Sequence, residues 1–440
     1  MKKINHLFNF LSVFLLFVAL TSCRTEKNIV PAGRTEPVQI EVKQNFDNSV
    51  HIGEIPTVAW HGVQEHTVER YRELKECGIN YNFSWFPNIE VLAQAMDMAN
   101  EAGVKMLIHC PELETEPEKT VSLFKDHPAL AGYFLRDEPN RNDFPHWGEL
   151  ARRIQAVDNS HFCYVDLFPI IVSSKMLGTS TYLEYVQSYL QEIPVSFISF
   201  NIYPITAYNR RRSLRKEWYE NLELISGEAR KAGKPFWAFA LATAHYSYPI
   251  PTLADLRLQV YSNLAYGAQG IQYFTYWTPT GGTENFHDGP IDDITQQRTA
   301  AWHTVQLMNR EIKALSNVFL GASVIQVRHI AKTESGRNGR IPTGTTRFYF
   351  SQRPAEANII KTFKISDGAK AVVSFLKNGS RCYMVIVNCN LEGGDNMSVI
   401  IEGGAGLQLI KKDGTAVNAS SESSLQTVTP GDVLIYGWNN

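Results

Sequence analysis

Between residues 55 and 279, short apolar runs alternate with stretches in which apolar residues recur every three or four positions. The runs cover residues 55–61, 79–85, 104–110, 130–136, 162–168, 195–203, 235–241 and 271–277, and each reads as a buried strand. The stretches between them read as amphipathic helices. Trp147, Leu150, Ile154 and Val157 repeat at three and four, as do Leu214, Trp218, Ile225 and Ala229 with one turn skipped. Thr181 with Glu184, and Thr252 with Asp255, have the spacing of capping boxes, while Gly78, Gly103 and Gly233 follow helical patterns where a left-handed cap is expected. Strands that alternate with helices pair in parallel. Eight such units predict a closed (β/α)8 TIM barrel rather than an open doubly wound sheet. No Gly-x-Gly-x-x-Gly follows the first run, which argues against a dinucleotide fold.

A further helical pattern (Trp302, Val305, Ile312, Leu315) closes the barrel, and then the texture changes. Runs at 347–350, 371–375, 382–387, 398–401 and 433–436 are separated by Gly, Asn, Asp and Ser clusters with no helical period, which predicts a small antiparallel β-sandwich. Residues 334–346 read as an exposed loop. The N-terminus has a cationic start, Met1-Lys2-Lys3, an apolar stretch from Leu7 to Leu20, and Leu20-Thr21-Ser22-Cys23, which resembles the lipobox of bacterial lipoproteins. The expected plan is a signal peptide at 1–22, a tether at 23–50, a barrel at 51–319 and a sandwich at 320–440. Cys23 would carry the lipid that holds the protein on the bacterial cell envelope, facing the periplasm or the cell surface.

Composition excludes more than it identifies. A formal net charge of -2 over 440 residues leaves no electrostatic footprint for nucleic acid. Cys77, Cys110, Cys163, Cys382 and Cys389 show no CxxC spacing, against a disulfide framework or a zinc site. Cys382 and Cys389, seven apart on one strand, face opposite sides. The 23 Phe, 19 Tyr and 8 Trp supply flat apolar faces with polar tips.

Catalytic residues of a β/α barrel come from the C-terminal ends of several strands. Those ends carry His61, Trp85, His109, Arg136, Asp137, Glu138, Asp166, Asn201 and Tyr203, His245 just past the seventh run, and Tyr273, Thr275 and Trp277 on the eighth. The fourth run ends abruptly in two adjacent carboxylates and a proline, which makes Glu138 the leading catalytic candidate. His61, His109 and His245 fall on three different strands without a paired His-x-His, so neither a metal nor a cofactor is expected.

Leu135-Arg136-Asp137-Glu138-Pro139-Asn140 resembles the Asn-Glu-Pro that carries the general acid/base in the large clan of retaining barrel glycoside hydrolases, which includes β-galactosidases and cellulases. Phe168-Pro169, Tyr203-Pro204, the segment from Gly270 to Trp277 and the trailing sandwich extend the likeness. The resemblance implies a carbohydrate substrate, Glu138 as acid/base, and Asp137 where the clan has the Asn that bonds the sugar's 2-hydroxyl. Trp85 and Trp277 would be sugar platforms, with His61, His109, Arg136, Asn201, Tyr203 and His245 as further substrate contacts. The departure is on the seventh run, Phe236-Trp237-Ala238-Phe239-Ala240-Leu241-Ala242-Thr243-Ala244-His245, where the clan places its nucleophilic Glu and this chain has no carboxylate. Asp137, Asp166, Glu284, Asp288 and Asp292 are the candidates for a second carboxyl, Asp166 foremost. A water-mediated route through it implies inversion and a separation from Glu138 above about 6.5 Å. Two rival readings stand beside the hydrolase: a non-catalytic carbohydrate-binding lipoprotein, and a barrel lyase or metal-dependent hydrolase.

Overall fold

The structure, a computed structural model, describes residues 53–419 and 424–440; the expected signal peptide, Cys23 and the whole tether lie outside the described residues. Thr57–Trp60, Tyr81–Phe83, Lys105–Ile108, Leu130–Asp137, Phe162–Leu167, Ile198–Phe200, Phe236–Leu241 and Gly270–Phe274 close into the eight-stranded barrel that the alternation predicts. Every pairing is parallel, and the eighth strand returns to the first with Thr57 opposite Ile271 and Trp60 opposite Phe274. The sixth apolar run overshoots its strand most. Val195 and Phe197 lie in the core although they precede the ladder, so apolarity there records burial rather than pairing.

Helices Phe144–Val157 and Trp218–Ala232 bury the predicted stripes. Leu214 is not part of the second. It belongs to a short hairpin, Ile205–Tyr208 with Arg211–Leu214, that rises above the sixth strand. The capping box at Thr252 and Asp255 is complete. At Thr181 it is displaced: Thr181 accepts from the Glu184 N–H, but the Glu184 carboxylate takes the N–H of Ser180 at 3.0 Å. Gly78, Gly103 and Gly233 have φ of 81°, 69° and 64°, the left-handed caps that the sequence marks.

The inner face of the barrel is packed with rings. Trp60, Phe83, Phe134, Phe162, Tyr164, Phe197, Trp237 and Phe239 form one cluster, with Trp60 and Phe83 centroids 4.5 Å apart. A filled interior leaves only the rim for chemistry.

Residues from Ser323 onward form a six-stranded and a three-stranded antiparallel sheet, the predicted sandwich. Five strands outside the runs read from the sequence, Ser323–Ala331, Ile360–Ile365, Gln408–Ile410, Ala416–Asn418 and Ser424–Val428, belong to it. Conversely, the expected strand at 347–350 does not form. Arg347 makes an isolated bridge to His329, Phe348 alone enters the core, and the chain turns into the 3-10 segment Phe350–Gln352. Cys382 packs in the sandwich core, whereas Cys389 packs with the barrel, and all five described cysteines are free. Among the described residues no helix is long and apolar enough to cross a membrane.

Candidate active site

The fourth strand delivers the carboxylates by a local irregularity. Its ladder to the fifth strand slips between Phe134 and Arg136, so Phe134 points inward, Arg136 outward, and Asp137 stands opposite Asp166. Glu138 then takes φ 45°, a left-handed conformation that non-glycine residues adopt at a cost, and its N–H donates to the carbonyl of Asp166 at 2.9 Å. The following residues lock this turn. Tyr185 donates to the Pro139 carbonyl at 2.8 Å, and the Asn140 amide donates to the Met176 carbonyl at 2.8 Å.

One amide holds two carboxyls together. Asn201 Nδ2 donates to Glu138 Oε1 at 2.8 Å and to Asp166 Oδ2 at 2.9 Å. Ser199 donates to the other oxygen of Asp166 at 2.5 Å and accepts from Gln272 Nε2 at 2.8 Å, and Gln272 in turn accepts from Tyr164. Glu138 thus sits at the top of a buried polar chain that reaches down across the fifth, sixth and eighth strands. Its half-buried carboxyl is pushed well above the ordinary carboxylate range, first by lost solvation, then by the charges of Asp137 and Asp166, with the Asn201 bond opposing. Asp166, fully buried, is raised by the same desolvation and by Asp137. Asp137 is pushed up to about 7 by burial, against the pull of Arg136.

This geometry reassigns several expected residues. Asp166 has no exposed surface and both of its oxygens are taken, so it cannot hold an attacking water; it positions Asn201 and charges the ground under Glu138. Two oxygens bound to one nitrogen at 2.8 and 2.9 Å also lie closer together than the roughly 6.5 Å an inverting pair requires, which overturns the expected separation. Arg136 is exposed on the outer side of the barrel, over the Trp147 ring at 5.6 Å, and does not face the mouth. Trp277 is 5% exposed in the outer helical layer beneath the Arg70 guanidinium, so it is no sugar platform. The alternation on the eighth strand explains this: Gln272 and Phe274 face inward, while Tyr273 points out to Asn309. Asp292 ties its own turn together through Thr295, and Asp288 pairs with His287 at 2.6 Å.

The remaining candidates ring the mouth. Trp85 and His109 meet edge to face at 4.6 Å, with His109 Nδ1 3.2 Å from the carbonyl of Phe134. Tyr203 stacks on Phe274 at 5.2 Å and meets His245 at 6.3 Å. The loop after the eighth strand docks on this side through paired backbone bonds between Ala244 and His287, both 3.0 Å, and lays Phe286 on His245. Burial drives His61 and His245 down to about 4, so both rings are neutral at pH 7. Among the described residues His245 Nδ1 has no hydrogen-bond partner. Phe274, Phe286 and Tyr248, and the buried Ser199, Gln272 and Tyr164, join the site beyond the residues that the sequence marks. Strand alternation carried the signal for the last group, since residues 164 with 166 and 199 with 201 share a face. Among the described residues no three His, Cys, Asp or Glu side chains converge as metal ligands would.

Residues 170–315 match the family Glyco_hydro_42, Beta-galactosidase. A β-galactosidase from Bacillus circulans sp. alkalophilus superposes with a TM-score of 0.59 at 10% identity, covering 88% of this chain and 99% of that one. A β-galactosidase from the psychrophilic Marinomonas ef1 gives 0.44 at 12% identity over 60% of each chain, so this chain spans 60% of that enzyme's length. No curated protein matches. Together they show the fold, a closed (β/α)8 barrel followed by an antiparallel β-sandwich, with the second half of the barrel similar to that family.

Proposed function

We propose that this protein cleaves glycosidic bonds, with Glu138 as the general acid that protonates the leaving oxygen, and that it works from the cell envelope on a lipid attached to Cys23. The observation that carries the catalytic part is the Asn201 bridge, which fixes Glu138 at the rim over a second buried carboxyl; burial and the charges of Asp137 and Asp166 favour its protonated form against the pull of that bond. Half-buried Trp85 and Tyr203 supply apolar faces beside it. The anchor rests on the lipobox-like sequence alone, and fatty-acid labelling that is equal in wild type and Cys23→Ala would rule it out.

The test of catalysis is Glu138→Gln. It keeps the size and the Asn201 contact but removes the proton, and turnover of a cleaved glycan or aryl glycoside is expected to fall by about 10²- to 10⁴-fold with the thermal midpoint nearly unchanged. Wild-type turnover in the variant refutes the assignment. One observation favours the second reading, a carbohydrate-binding protein without catalysis. Leu241 to Ala244 at the seventh strand's tip are all buried and none is acidic. Sugar binding without turnover of any glycan would decide for it.

A further inference from the structure

The fourth strand presents two carboxyls, and only one has a partner. Glu138 is held by Asn201, whereas Asp137 makes no hydrogen bond or ion pair among the described residues. The slip in the ladder turns Asp137 inward, and its charge is felt by Glu138, Asp166, Tyr164 and Tyr203, all residues of the barrel lumen or its rim. A half-buried carboxylate that no described protein group engages lies beside the acid, open to a ligand. A ligand N–H or O–H would fill it.

The choice between these donors follows from what the rest of the mouth lacks. Retention needs a nucleophile at the anomeric carbon, and the seventh strand offers no carboxylate. Inversion needs a base with room for a water, and Asp166 is buried and too close. An acid without a protein nucleophile can still cleave a glycoside whose own 2-acetamido carbonyl attacks the anomeric carbon. Such a substrate brings an amide N–H that can only donate. An ionised Asp accepts that bond without competition, whereas an Asn in its place also offers donors of its own.

We propose, building on the glycosidase reading, that the substrates are β-linked 2-acetamido-2-deoxy sugars and that the substrate amide replaces the missing nucleophile, Asp137 holding its N–H and Glu138 carrying the proton. In the first step the amide oxygen forms a bond to C1 as the C1–O glycosidic bond breaks. The leaving oxygen keeps that electron pair and takes the proton of Glu138, which leaves a cyclic oxazolinium whose N–H stays on Asp137. Water then bonds to C1 and gives its proton to the Glu138 carboxylate, while the ring C1–O bond breaks and its electrons restore the amide. C1 is inverted twice and the β configuration is kept. The β linkage is required because the carbonyl must attack opposite the leaving group. Partial burial stabilises Asp137 against the positive charge that grows on the amide nitrogen, because the pairing occurs away from bulk water.

The experiment uses the full chain and four chromogenic substrates, the 4-nitrophenyl β-glycosides of N-acetylglucosamine, N-acetylgalactosamine, glucose and galactose. The N-acetyl pair should exceed its parent sugars in kcat/KM by at least about 10²-fold, the advantage of an attached nucleophile. Among wild-type rates on mono-, di- and trifluoroacetamido substrates, each fluorine should slow the reaction by weakening the attacking oxygen. Asp137→Asn should lose about 10²-fold in kcat on the acetamido substrates. Should that variant fail to fold, the fluoroacetamido series still decides. A flat series, or no turnover of the N-acetyl pair, overturns the proposal. Parent sugars turned over as fast as the N-acetyl pair, with both activities lost in Glu138→Gln, would overturn it too, while leaving the glycosidase reading intact.

Discussion

The protonation of Glu138 is set by neighbours that pull in opposite directions, and each can be removed singly. A general acid works only while protonated, so activity is lost as pH rises through its pKa. Asp166 raises that pKa by its charge and Asn201 lowers it by bonding the ionised form. In Asp166→Asn the alkaline limb of kcat/KM should therefore move to lower pH, and in Asn201→Ala to higher pH. Each shift should be of the order of one pH unit, since one unit corresponds to about 1.36 kcal/mol. Limbs that move together, or stay fixed, would mean that the bridge only positions the carboxyl. The place of Glu138 at the tip of the fourth strand is legible in the sequence, because an apolar run that stops at two acids and a proline marks a strand end. Its partners were less so: Asn201 and Asp166 appeared as tip residues, but that one amide joins them depends on the stagger between strands five and six, which no local pattern encodes.

At the scale of elements, strands four and five form the unit that matters, and a glycine sets their approach. A Cβ on Gly132 would lie 2.6 Å from the Phe162 carbonyl oxygen and 2.7 Å from its ring, so the two strands pass where only hydrogen fits. Gly132→Ala should destabilise by about 1–3 kcal/mol. It should also lower kcat more than it raises KM, because spreading the pair displaces Glu138 from Asp166 while leaving the aromatic mouth in place. Steady-state kinetics and thermal melts together check this, and an unchanged kcat would separate strand spacing from catalysis. The element pattern itself was readable because buried parallel strands and amphipathic helices have different periods. The failures have a common cause. Composition and position in a run point Arg347 to a strand, Leu214 to a helix and Trp277 to the mouth, but partner geometry puts Leu214 in a hairpin, leaves Arg347 without a strand and turns Trp277 away from the lumen.

Over the whole molecule, the sandwich is fastened to the helical layer of the barrel rather than strung behind it. Val372, Leu376, Tyr383, Val385, Val387 and Ile435 belong to the same apolar cluster as Leu256, Val260 and Leu264 of helix Leu253–Ala265. Buried polar contacts cross the same boundary: Ser374 donates to the Ala265 carbonyl at 2.6 Å, Tyr266 meets His329 Nε2 at 2.7 Å, and Tyr219 meets Cys389 Sγ at 3.0 Å. Gly431, at φ 75°, lies so close to the Ala254 carbonyl that no side chain could stand there. A barrel cut after residue 319 would expose this apolar face and take one partner each from Tyr266 and Tyr219. The full chain should accordingly unfold in one calorimetric transition, and the 51–319 fragment should aggregate or melt well below it. Two separate transitions, or a fragment as stable as the parent, would show that the shared core contributes little. In that case the sandwich would be free to serve the substrate rather than the fold.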